Sequence, residues 1–146
     1  MPLYLPNPEA AVYRGNQYLI STRSEQESHG GGTIGFTGGG IDLEDERAFD
    51  VLEATLRREV MEEINVMVGE MTYIRTHVVD FGDMKVLFSL FLCEYTGGEP
   101  RAVDPAEVSA VQWMTAEEIL AHPRCPEWLP PNLEACEKVR LSKVSD

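Results

Sequence analysis

The sequence predicts an α/β (α+β) fold: one mixed sheet with helices packed against it. Three observations predict it. β-rich runs and helical segments follow one another in the order β, β, helix, β, β, β, helix, helix, which suits a layered domain of sheet and helices. The segment from Glu44 to Ile64 lacks Gly and Pro and places Leu56, Val60 and Ile64 four residues apart, the stripe of a helix that buries one side. The 146 residues contain no repeat, low-complexity tract or separating linker, so a single domain over 1–146 is expected.

AAVYRGNQYLIST alternates around Gly15 and Asn16 and predicts a hairpin of two short strands. HGGGTIGFTGGGID follows, too dense in glycine for a regular element and able to bring backbone close to a ligand. The helix then runs to Ile64, where Asn65 can take the left-handed conformation that ends it. EMTYIRTHVVDF and KVLFSLFLCEY predict a long antiparallel pair, the second nearly all apolar, as in a strand covered on both faces. SAVQWMT reads as a strand, and TAEEILAH as a short helix opened by a capping box from Thr115 to Glu118. After the proline-rich PRCPEWLPP, NLEACEKVRLSKV predicts a final amphipathic helix.

Composition sets limits on function. With 25 acidic against 12 basic side chains and a net charge of −13, the overall field repels nucleic-acid backbones and anionic membranes, so a polyanionic partner has to be admitted locally through cations. Cys93, Cys125 and Cys136 are odd in number and form no CxxC pair, which points to reduced thiols in a cytoplasmic protein. The N-terminus MPLYLPNPEA has no basic leader and no long apolar run, and a soluble, cytoplasmic location is expected.

LRREVMEEINV, residues 56–66, raises the chemical question. On a helix at about 100° per residue, Glu59, Glu62 and Glu63 share one arc beside the core stripe. Like charges at those spacings destabilise one another, and the C-terminal end of a helix disfavours negative charge. One reading is a solvated acidic face. The other is a site for a hard divalent cation, which prefers oxygen ligands and is served here by a glycine-rich loop with free carbonyls just upstream.

REVMEEINV resembles the REUxEExGU core of the Nudix box, Gx5Ex7REUxEExGU with U aliphatic, and FTGGGID at 36–42 is similar to the segment that precedes it. AAVYRGNQYLISTR and EVSAVQWMTAEEI resemble the flanking hairpin and late strand, so the likeness covers about residues 10–120. Asp50 stands where seven residues separate it from Arg58, the place of the box's first Glu, and ten residues rather than five lie between Gly39 and Asp50. A five-residue insertion is therefore expected in LEDERAFDV or just before it. Thr37, Asp42 and Asn65 replace the usual Pro, Glu and Gly.

The resemblance implies an α/β/α sandwich and Mg²⁺-dependent hydrolysis of a nucleoside diphosphate linked to another group, with Mn²⁺ as an alternative cation. Glu59, Glu62 and Glu63 match the metal-binding and base-supplying glutamates, and Arg58 the arginine that orients them. Gly38 matches the glycine that offers its carbonyl to the metal; Arg23 and Gly39 match substrate contacts. Glu107, six positions before Trp113, matches a further ligand or base used by some members, with a solvated loop acid as the alternative. The implied partner is a small nucleotide or other pyrophosphate; a homodimer stays open. His29, His77 and His122 show no ligand spacing, and Trp128 beside Leu129 reads as core rather than a base-stacking ring.

A non-catalytic nucleotide-binding module and an acidic interaction protein are the competing readings. The substrate is not indicated: VVDFGDMK has neither the proline of ADP-ribose enzymes nor the tyrosine of dinucleoside polyphosphate enzymes.

Overall fold

The structure, a computed structural model, describes residues 2–27 and 29–144. The expected hairpin is present: β1 (Tyr4–Arg14) and β2 (Gln17–Arg23) pair antiparallel, with Tyr13 opposite Tyr18. β1 starts well before the alternating pattern and carries Pro6 and Pro8. It runs parallel to β6 (Lys85–Gly97), with Pro8 beside Ser89. The carbonyl of Pro8 accepts from Gly39 N on the opposite edge, so the missing N–H of Pro8 also faces away from β6 and the β1–β6 ladder loses nothing.

The glycine-rich stretch, expected to be irregular, forms two minimal strands. β3 (Ile34–Gly35) pairs with β2, and β4 (Thr37–Gly38) pairs with β1, setting Gly38 opposite Glu9. A 3-10 turn (Asp45–Arg47) and a bend then lead into α1 (Val51–Ile64), which is shorter than the segment without Gly or Pro. Asn65 closes α1 with φ 61°, as expected, and its side-chain amide donates to Glu99 O at 3.0 Å.

β5 (Met67–Asp80) and β6 form the predicted antiparallel pair. β7 (Val108–Thr115) pairs with β2 and leads into α2 (Ala116–Ala121), where Thr115 and Glu118 make the predicted capping box. The last helix, α3 (Leu129–Val144), begins earlier than expected because Pro130 and Pro131 fall in its first turn, where backbone N–H groups have no helical partner to lose. Trp128 is 55% exposed while Leu129 is buried, which corrects the core reading of that tryptophan.

The sheet order is β3-β2-β1-β6-β5, with β4 added to β1 and β7 to β2; only β1–β6 is parallel, so the sheet is mixed. α1 covers one face through Leu56, Val60 and Ile64, which pack on Ala10, Val12 and Phe91. α2 and α3 cover the other through Ile119, Leu133 and Cys136, packed on Ala11, Leu90 and Leu92. Fully burying a side chain such as Leu56 stabilises by roughly 1.5–3 kcal/mol, so the stripe fixes which way α1 faces. The glutamates next to that stripe are thereby set at the rim of the sheet. Among the described residues no helix is long and apolar enough to cross a membrane.

Candidate functional site

Arg58 is the hub of the rim. Its Nη1 donates to Glu62 Oε2 at 2.9 Å and lies 3.1 Å from Glu59 Oε1, while Nη2 donates to the carbonyl of Gly40 at 3.0 Å. Nε and Nη2 also donate to Asp45, and the side chain is only 13% exposed. Asp42 and Glu44 approach within 3.9 and 3.6 Å. One guanidinium thus faces a surplus of carboxylates. Those acceptors, Asp45 first, raise the arginine's proton affinity further.

Asp45 corrects an expectation. Asp50, matched to the first acid of the box by counting back from Arg58, is exposed and makes no side-chain cap bond. Asp45 is 4% exposed and accepts from Arg58, from Thr55 Oγ1 at 3.1 Å and from Asp42 N at 2.9 Å. Gly40 to Glu44, five residues, separate Gly39 from Asp45, so the first half of the box keeps its regular spacing. The extra residues are Glu46 to Asp50, looped out between the acid and the helix. Counting forward from Gly39 reaches Asp45 as counting back from Arg58 reaches Asp50, and burial selects Asp45.

The glycine loop presses on the same helix. A Cβ on Gly39 would lie 2.4 Å from the carboxyl carbon of Glu59, and one on Gly38 would lie 2.4 Å from Pro8 O. Neither position has room for a side chain. Gly38 and Gly39 are thereby brought against β1 and α1 respectively.

Glu63 lies on the more buried side of the cluster. Burial first, then the charges of Glu59 and Glu107, push its carboxyl up to about 8, with Arg23 opposing. Burial also raises Glu59, relieved by Arg58 and worsened by Glu62 and Glu107. Glu107 therefore belongs with the helix glutamates although 44 positions separate it from Glu63 in the chain. Val103 N donates to Glu63 O at 3.0 Å and Ser24 N donates to Glu107 O at 2.9 Å, which fastens that loop between α1 and the end of β2. Arg23, at the same place, gives its Nε to His29 O at 3.0 Å and lies 3.6 Å from Glu27.

The structure thus brings together Arg58, Glu59, Glu62 and Glu63, with Gly39 against Glu59 and with Glu107 and Arg23 beside Glu63. The donors are oxygens alone and Arg58 offsets their repulsion only in part, which fits a hard divalent cation. Among the described residues no three acidic, thiol or imidazole side chains already converge on a single metal position, so holding a cation here requires the carboxylates to draw in. A concavity of 680 Å³ opens elsewhere, around Phe49, Glu53, Arg57 and Met71 at the N-terminal half of α1, away from this cluster.

Comparison with known proteins identifies the family and the fold. The family model described as NUDIX domain matches residues 6–135. A curated relative from Escherichia coli K12, "Uncharacterized Nudix hydrolase YfcD", is 32% identical over 117 residues, 80% of this chain and 61% of the relative. The same figures hold for its counterpart in Shigella flexneri, so the chain spans about three fifths of the length of these relatives. Among solved structures, a MutT protein from Methanosarcina mazei superposes with a TM-score of 0.74 at 20% identity, covering 95% of this chain and 96% of that one. The NUDIX domain of Shewanella oneidensis NrtR, complexed with ADP ribose, gives 0.72 at 20% identity, covering 97% and 90%. At such identities the two structures speak for the fold.

Proposed function

The chain belongs to the NUDIX domain family, and from that membership we propose that it hydrolyses a pyrophosphate bond in a nucleoside diphosphate linked to another group, using Mg²⁺ or Mn²⁺. The observation that carries this reading is the arrangement around Arg58: three helix glutamates, a glycine turn with no space beside Glu59, and Glu107 brought in from a distant loop.

Glu59, Glu62 and Glu63 would hold the cation, with the carbonyl of Gly38 and the carboxylate of Glu107 as further donors. When bound, the cation supplies charge neutralisation for the pyrophosphate and lowers the pKa of a bound water. Arg58 orients Glu59 and Glu62 by fixing one oxygen of each. Asp45 holds Arg58 in turn. Burial and the charges of Glu59 and Glu107 raise the proton affinity of Glu63, which suits it to take a proton from the attacking water. Arg23, near Glu63, would meet a phosphate, and the Gly39 turn would lie against the substrate.

The test is a panel of nucleoside diphosphate derivatives and nucleoside triphosphates with Mg²⁺, read as phosphate released after a coupling phosphatase. The wild type should turn over at least one member, and Glu62→Gln and Glu63→Gln should each lose about 100-fold or more in kcat, the usual scale for removing a ligand or base. Equal, negligible release by wild type and Glu62→Gln across the panel would overturn the enzyme reading. Cation-dependent thermal stabilisation without turnover would replace it with a nucleotide-binding module.

A further inference from the structure

β1 and β2 open into a fork. They pair at Tyr13 with Tyr18 and at Arg14 with Gln17, and beyond those positions β1 continues along β4 while β2 continues along β3. The segment 34–38 therefore crosses the gap between them. One side of the fork ends at Arg23, the last residue of β2, and the other holds Gly38, the last residue of β4.

Inside the fork the Oγ of Ser21 and the Oγ1 of Thr37 share a hydrogen bond of 3.0 Å, and the two residues are only 4% and 3% exposed. Side chains alternate along a strand, and Leu19 packs beneath α1, so Ser21 faces the same way. Thr37 stands opposite Ala10, which also packs beneath α1. The bond thus lies under the helix that carries the glutamates. Gly39 N donates to Pro8 O at 3.3 Å, so by the alternation of an antiparallel ladder Gly38 points its own carbonyl away from β1. On that other side the tie is the Thr37 hydroxyl, which reaches across to β2. Thr37 stands where the segment preceding the box usually has proline, a ring without a hydroxyl that could not make this bond.

We propose that Ser21 and Thr37 are positioning residues of the cation site: their hydrogen bond sets the glycine turn at Gly38 and Gly39 against the end of β2 that carries Arg23. Neither touches the cation or the substrate. The bond acts through Gly38, the next residue in the chain, and through Gly39, which presses on Glu59. Losing a group that holds a metal ligand in place commonly costs about 10–100-fold in metal affinity. The inference rests on the proposed hydrolysis only for the cation site that the pair positions.

The test is titration of the full chain with Mn²⁺, read as the loss of the free-ion signal in electron paramagnetic resonance, which needs no turnover. Thr37→Val keeps the outline of the side chain and removes its hydroxyl; Ser21→Ala removes the partner atom. Each should weaken Mn²⁺ binding about tenfold or more, the double variant should lose no more than either single one, and Thr37→Ser should bind as the wild type does. Melting curves in EDTA identify the variants that fold, and if Thr37→Val does not, Ser21→Ala decides, because it breaks the same bond by deleting one oxygen. Mn²⁺ binding unchanged in the folded variants, or losses that multiply in the double variant, overturns the proposal, since a merely structural bond would lower the melting temperature alone. So does a wild type that binds no Mn²⁺, which leaves the pair nothing to position. Weakened Mn²⁺ binding in a chain that hydrolyses nothing keeps the positioning pair and removes the hydrolase reading; hydrolysis by the wild type with Mn²⁺ binding indifferent to both substitutions does the reverse.

Discussion

Arg58 donates to both carboxylate oxygens of Asp45, Nε to Oδ1 at 3.2 Å and Nη2 to Oδ2 at 2.9 Å. The pair joins the middle of α1 to the loop that carries the glycines, and it does so across the five looped-out residues that follow Asp45. The insertion therefore lengthens the connection without moving Gly39 away from Glu59. Because Arg58 also reaches Glu59, Glu62 and the carbonyl of Gly40, a loss at Asp45 is transmitted to the whole rim.

Asp45→Asn is expected to lower the free energy of unfolding by about 2 kcal/mol, as a largely buried charged hydrogen bond is replaced by a weaker neutral one. Asp50→Asn should stay within about 0.5 kcal/mol of wild type, since its carboxylate is exposed. Urea unfolding of the two variants measures both. Arg58 holds the Asp45 carboxyl below its usual 3.8, so the folded form resists protonation. The contribution is present above that value and disappears as pH falls through the depressed pKa; the gap between wild type and Asp45→Asn should close in acid.

Gly39→Ala should disable the rim while leaving the fold in place. The added methyl would fall 2.4 Å from the Glu59 carboxyl carbon, and that side chain would have to swing away from Arg58. A drop in kcat of about tenfold or more, with thermal melting lowered by only a few degrees, is the expected result. Gly40→Ala is the control, because nothing lies within 4 Å of its Cβ position. Comparable losses in the two variants would show that Glu59 does not depend on the glycine.

Glu9 should impose a pH dependence on stability. Burial pushes its carboxyl from the usual 4.5 up to about 7, so the folded protein holds this proton more tightly than the unfolded chain does. Stability is then undiminished below about 4.5, falls as pH rises toward about 7, and levels off above it, by an amount on the order of 3 kcal/mol. Glu9→Gln removes the titration. Urea unfolding from pH 4.5 to 8 should show a flatter profile for that variant, and parallel profiles would contradict the assignment.

Cation binding should appear in the melting temperature before any substrate is added. Saturating Mg²⁺ neutralises the repulsion among Glu59, Glu62 and Glu63 and should raise the midpoint by a few degrees, an effect that EDTA reverses. Glu59→Gln should lose most of this gain. A rise of equal size in that variant would place the cation elsewhere.

Much of this arrangement was legible in the chain because it is local. The stripe Leu56, Val60, Ile64 fixes the exposed arc of α1, and Asn65 ends the helix with φ 61° because a short polar side chain tolerates that backbone. The hairpin at Gly15, the β5–β6 pair and the capping box at Thr115 follow from patterns of the same short range. Asp45 was missed for a local reason as well: two acids fit the box, one counted from each end, and only burial distinguishes them. The proline-bearing start of β1 was hidden because its pairing depends on which edge lacks a neighbour, and the exposure of Trp128 depends on where the first turn of α3 meets the sheet.

By itself, then, the sequence determined the class of fold, the helix that bears Glu59, Glu62 and Glu63, and the charge excess that calls for a cation, since each depends on residues within a few turns of one another. Tertiary structure alone decided that Asp45 holds Arg58, that the charge of Glu107 reaches Glu63, and that burial perturbs Glu9 on the opposite face. The physical reason is common to all three. Burial and the reach of a charge are set by which distant segments pack together, and strand pairing across the sheet fixes that.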